Sequence, residues 1–71
     1  MDIKTMEIKH IKNGNVGWIE EHFTFETGQK ATFHTHTHKT KCFNGMGRDI
    51  TETEIGKKMI VAIESYLDKK A

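Results

Sequence analysis

Between residues 3 and 43, apolar and polar side chains alternate in short runs, the pattern of half-buried strands rather than of a helix. In MEIKHI the apolar side chains Met6 and Ile8 share a face, and in WIEEHFTF so do Ile19, Phe23 and Phe25. KATF then adds Ala31 and Phe33. Two turn signals divide the run. Asn13-Gly14 suits a two-residue hairpin, because a type I′ turn needs positive φ at both central positions. Glu26-Thr27-Gly28 reads as a three-residue loop with Gly28 in the left-handed position. The pattern predicts strands over about 3–12, 15–26 and 29–42.

The turns imply a register. With Lys12 opposite Asn15, Ile8 faces Ile19, Lys9 faces Trp18 and Ile11 faces Val16. With Phe25 opposite Gln29, Phe23 faces Ala31, Glu20 faces His34 and Trp18 faces His36. One face then collects Met6, Ile8, Ile19, Phe23, Phe25, Ala31 and Phe33. A one-residue slip in either hairpin would mix Phe with His on both faces, so the register is well specified.

After residue 43 the period changes. NGMGRD reads as a Gly-rich connection, and a helix is predicted over about 52–69. Thr51 and Glu54 have capping-box spacing, with Ile50 and Ile55 at the hydrophobic-staple positions. Glu52 and Glu54 suit the positive helix start, and Lys69 and Lys70 the negative end. Ile55, Met59, Ala62, Ile63 and Tyr66 recur at helical spacing, with Ile60 and Leu67 widening the stripe. Gly56 weakens a helix, so it marks a close approach to the sheet. The fold class is α+β: a three-stranded antiparallel β-meander with one C-terminal helix on one face, βββα, as a single domain over 1–71.

Composition narrows the function. Of 71 residues, 35% are hydrophobic and 30% charged, a polar globular mixture with a small core. The formal net charge of +1 lacks the basic excess of a dedicated nonspecific DNA binder. Cys42 is the only cysteine, which excludes an intrachain disulfide and the thiolate zinc-finger patterns. A reducing compartment fits that usage. No apolar run approaches the ~20 residues that span a bilayer, and MDIKTMEIKH lacks a secretory apolar region. The expected location is the cytoplasm.

FHTHTHK, residues 33–39, carries the candidate chemistry. Read as strand, it places His34, His36 and His38 on the face away from the helix, beside Lys9, Ile11, Val16, Trp18, Glu20 and His22. Alternating Thr and His also suit a plain solvated strand face. Same-face neighbours on a strand lie ~7 Å apart, within reach of one shared ion. Zinc is therefore one reading, with His34, His36 and Glu20, or His34, His22 and Glu20, as ligands. His34 and His38 start ~13 Å apart, so one ion would not take all three histidines. The His-x-Thr repeat is similar to that of two-histidine phosphoesterases, which need two distant copies on a much longer chain. No nucleophile elbow, phosphate-cradling loop or buried acid pair accompanies the histidines, so no enzyme is expected.

Trp18 is the most informative residue of that face, since with Ile11 and Val16 it leaves apolar area in water. The sequence therefore predicts a non-enzymatic interaction protein that binds a protein partner, or a second copy of itself, through Trp18, Ile11, Val16, His36, His38 and Lys9. No resident cofactor is expected. The first alternative is nucleic acid on the open sheet face. In topology alone, the meander with its helix resembles the arm-type DNA-binding domains of some integrases and plant AP2-type domains, which lay that face in the major groove. Divalent metal binding by the strand histidines is the second alternative.

Overall fold

Alternation builds an antiparallel sheet of four strands, β1 (Ile3–Asn13), β2 (Val16–Phe25), β3 (Lys30–His34) and β4 (Thr40–Phe43), arranged in sequential order. Helix α1 (Glu54–Lys70) follows and covers one face. The computed structural model describes residues 1–70; the side chain of Lys70 and all of Ala71 lie outside the described residues.

The fourth strand corrects the expected three. The run predicted as one strand over 29–42 breaks at His34, because side chains there satisfy the backbone of a turn. His34 Nδ1 accepts from the backbone N–H groups of His36 and Thr37, each at 3.2 Å. His38 adopts a left-handed φ of 59° and donates its N–H to the His34 carbonyl at 2.8 Å. The His34 N–H reaches the Lys39 carbonyl at 2.9 Å and closes the hairpin. Glu20 does pair with His34 and Phe23 with Ala31, as predicted, but the pairing of Trp18 with His36 does not form. Gly28 takes its left-handed position with φ 93°.

The first hairpin is displaced by two residues from its expected register. Gly14 and Asn15 form the turn, Asn13 pairs with Val16, Ile11 with Trp18 and Lys9 with Glu20. Only Gly14 takes positive φ there (66°), the type II′ pattern with glycine first. Because strand side chains alternate with period 2, a two-residue displacement changes every partner and no face.

The core joins Phe23, Phe25, Ala31 and Cys42 to Met59 and Ile63 of the helix. Tyr66 meets Phe23 edge-to-face, with centroids 5.5 Å apart. Ile8, Ile19 and Ile55, expected in this core, remain exposed. Ile8 lies midway along the edge strand β1. Ile19 lies toward the turn end of β2, beyond the last β2–β3 pair of Glu20 with His34, where the Thr35 N–H and hydroxyl both bond the Ile19 carbonyl. Glu21 is buried on the inner face between Ile8 and Phe33.

The helix starts at Glu54 and is capped by Thr53, whose Oγ1 accepts from the Gly56 N–H at 3.1 Å. The capping box at Thr51 is not formed. Its hydroxyl is engaged elsewhere, accepting from Cys42 N–H at 2.9 Å and donating to Asp49 at 2.7 Å. Gly56 is a point of close approach, to the segment entering the helix rather than to a strand: a Cβ there would stand 2.0 Å from the Ile50 carbonyl oxygen. Cys42 adds an S–H bond of 3.5 Å to the Gly56 carbonyl, and burial pushes its thiol pKa up. Among the described residues no helix is long and apolar enough to cross a membrane.

Candidate functional site on the open sheet face

Trp18, Glu20 and His22 alternate along β2 and therefore project together from the face away from the helix. Glu20 ties them. One carboxylate oxygen accepts from the indole N–H at 2.6 Å and the other lies 2.9 Å from His22 Nε2. The indole bond, with lesser help from the bond and charge of His22 and the charge of His34, holds the Glu20 pKa below its ordinary value against an opposing effect of burial. Across the sheet, Ile11 lies opposite Trp18 and Lys9 opposite Glu20. Lys9 Nζ also stands 3.9 Å from Glu7 on the same strand.

His34 completes the group. Its ring stacks on Trp18 with centroids 5.7 Å apart and planes 19° from parallel. Its Nδ1 serves the turn, so the ring is positioned from both sides. His36 stands 6.0 Å from His34, tilted by 60° and exposed. Val16, on the same face, is 62% exposed. The structure thus gathers Trp18, His34, His36, Ile11, Val16, Lys9, Glu20 and His22 on one face.

His38 is placed elsewhere. Its ring stacks on Phe33 at 5.9 Å, beside the helix residues Ile63 and Leu67, because the turn reverses the strand before position 38. The expected ligand sets His34/His36/Glu20 and His34/His22/Glu20 do not assemble. Glu20 is engaged by Trp18 and His22, and among the described residues no group of three or more His, Cys, Asp or Glu side chains could hold a metal ion.

One feature of this face escaped the sequence reading. A shallow hollow of about 580 Å³ lies between Lys9, His22, Lys30, Thr32 and the Asn44–Gly47 loop. That loop is a built turn: Asn44 Oδ1 accepts from the Met46 and Arg48 N–H groups at 3.0 and 2.9 Å, and Gly47 has φ 87°. It holds the Met46 side chain 94% exposed at the rim. The legible signal was Asn-Gly with a second glycine two positions on, a turn rather than a mere connection. Comparison with protein-family models, with curated proteins and with solved structures finds no match to this chain.

Proposed function

We propose that this chain is a small, non-enzymatic interaction protein of the cytoplasm that binds a protein partner through the open face of its sheet. The Trp18–His34 stack carries the reading. Its indole N–H is already satisfied by Glu20 and its ring already positioned, so a partner gains apolar contact without ordering the aromatic first. Rigid tryptophans with satisfied polar handles are typical anchors of protein interfaces. Ile11 and Val16 extend the apolar area, and Lys9, Glu20 and His36 supply a polar rim. Glu7 and Glu20 on the same face, with a net charge of +1, weigh against nucleic acid. The fourth strand also departs from the three-stranded topology that the DNA-binding domains share.

The test uses the parent and Trp18→Ala as immobilised baits in a cytoplasmic extract, with thermal unfolding of both as a control. Trp18→Ala should stay folded and lose a captured protein, its affinity falling by ~2 kcal/mol or more. The same proteins at the same yield from both baits would reject this reading. Salt-sensitive retention of short duplex DNA by the parent would replace it with the nucleic-acid one.

A further inference from the structure

The chain closes one edge of its sheet and leaves the other open. At β4, Asp49 bridges to Phe43, the Ile50 N–H bonds the Cys42 carbonyl at 2.8 Å, and Thr51 Oγ1 accepts from the Cys42 N–H. At the opposite edge β1 pairs on one side only, over a strand of eleven residues. Unpaired edges of that length template further strands unless they are blunted, commonly by lysine. Lys4, Lys9 and Lys12 lie on β1, but so do Glu7 and the exposed Ile8. The charge order along this strand makes one pairing with itself favourable.

Hairpin geometry identifies the backbone groups available. Asn13 and Val16 flank a two-residue turn and form a hydrogen-bonded pair, and bonded pairs then recur at every second position. Ile11, Lys9 and Glu7 therefore bond toward β2, while the N–H and C=O groups of Met6, Ile8 and His10 point to the open edge. A twofold axis through Ile8 places Ile8 against Ile8 of a second copy, and Met6 against His10 of a second copy. All are outward-bonding positions, as a ladder requires. Glu7 then faces Lys9 of the second copy, and Lys9 faces Glu7, so two complementary charge pairs form on the outer face. Moving the axis to Glu7 sets Glu7 against itself, and moving it to Lys9 sets Lys9 against itself. The cost of the Ile8-centred register is Lys4 opposite Lys12 at the ends of the ladder, where water screens them.

We propose that β1 is a self-pairing edge, through which two copies of this chain join antiparallel about Ile8 into one continuous eight-stranded sheet. The partner is a second copy of the chain, and the contact is independent of the Trp18–His34 face. A strand-to-strand interface is small, so the dimer is a reversible one.

Sedimentation equilibrium of the full chain over a wide concentration range tests it, alongside residue-resolved amide exchange. The parent should form dimers, with amide exchange slowing at Ile8 and His10 as concentration rises. His10→Pro removes an outward N–H without touching the β1–β2 ladder and should weaken the dimer tenfold or more. Lys9→Glu should weaken it about tenfold, and adding Glu7→Lys should restore it to within about threefold. Trp18→Ala should leave it unchanged. A parent that stays monomeric at millimolar concentration overturns the proposal, as does failure of the charge swap to restore pairing. Loss of the dimer in Trp18→Ala, with His10→Pro still dimeric, would overturn it too and move self-association to the Trp/His face.

Discussion

Glu20 shows how much one carboxylate decides on the open face. Each of its oxygens has one partner, Trp18 and His22, and the first of these bonds does most to lower its pKa. Since the folded-state value lies below the ordinary 4.5, this contribution is present above pH 4.5 and is lost as pH falls through the lowered value. Trp18 emission should therefore change in an acid step below pH 4.5, and Glu20→Gln should abolish that step. The same substitution should cost about 1 kcal/mol in denaturant melts at pH 7; identical melts would mean that the indole bond contributes nothing. The shared face of Trp18, Glu20 and His22 was legible, because parity alone assigns it. The fate of His34 was not: a histidine that caps its own turn through Nδ1 leaves no glycine or proline to announce the reversal. The available warning was indirect. A single strand through 29–42 would have aimed Lys39 and Lys41 at the helix beside Phe33, whereas the turn reverses parity and sends Cys42 inward.

At the scale of elements, helix α1 was legible and its first turn was not. Thr51 and Thr53 both stand where an N-cap is plausible on local grounds, and Thr51 has the better spacing to a glutamate. What separates them is tertiary: Cys42 on β4 needs an acceptor for its N–H, and Thr51 supplies it. Thr53 is left to cap, which puts Gly56 at the third helical position and packs it under Ile50. A sign test follows. In an exposed helix Gly→Ala stabilises by about 1 kcal/mol. At Gly56 the new methyl would meet backbone oxygens of Ile50 and Thr51 at 2.0 and 2.7 Å, so Gly56→Ala should instead destabilise by about 1–3 kcal/mol or more. Chemical denaturation reads the sign directly, and any gain in stability would show that the helix entry is looser than this packing.

At the scale of the whole molecule, one 17-residue helix backs a sheet whose first two strands run on past the shorter third and fourth. Sequence periodicity sees an inward row and treats its members alike, so Ile8 and Phe23 both read as core. Periodicity carries no information about where a covering helix stops. In the folded chain Phe23 is 1% exposed and wedged against Tyr66, while Ile8 is 54% exposed. The two residues should therefore respond very unequally to truncation. Phe23→Ala removes a full aromatic from a site with no room to collapse onto solvent, and should cost ~3–5 kcal/mol. A domain of this size has little more stability than that to lose, so the variant should be largely unfolded at 37 °C. Ile8→Ala deletes a side chain that already faces water and should cost less than about 1 kcal/mol. Both are to be measured by thermal and chemical unfolding at micromolar protein, below the range in which β1 pairing would add concentration-dependent stability. Equal losses at the two positions would mean that the helix covers Ile8 on the edge strand in solution. A large loss at Ile8 that grows with protein concentration would instead locate that residue's burial in a second copy of the chain.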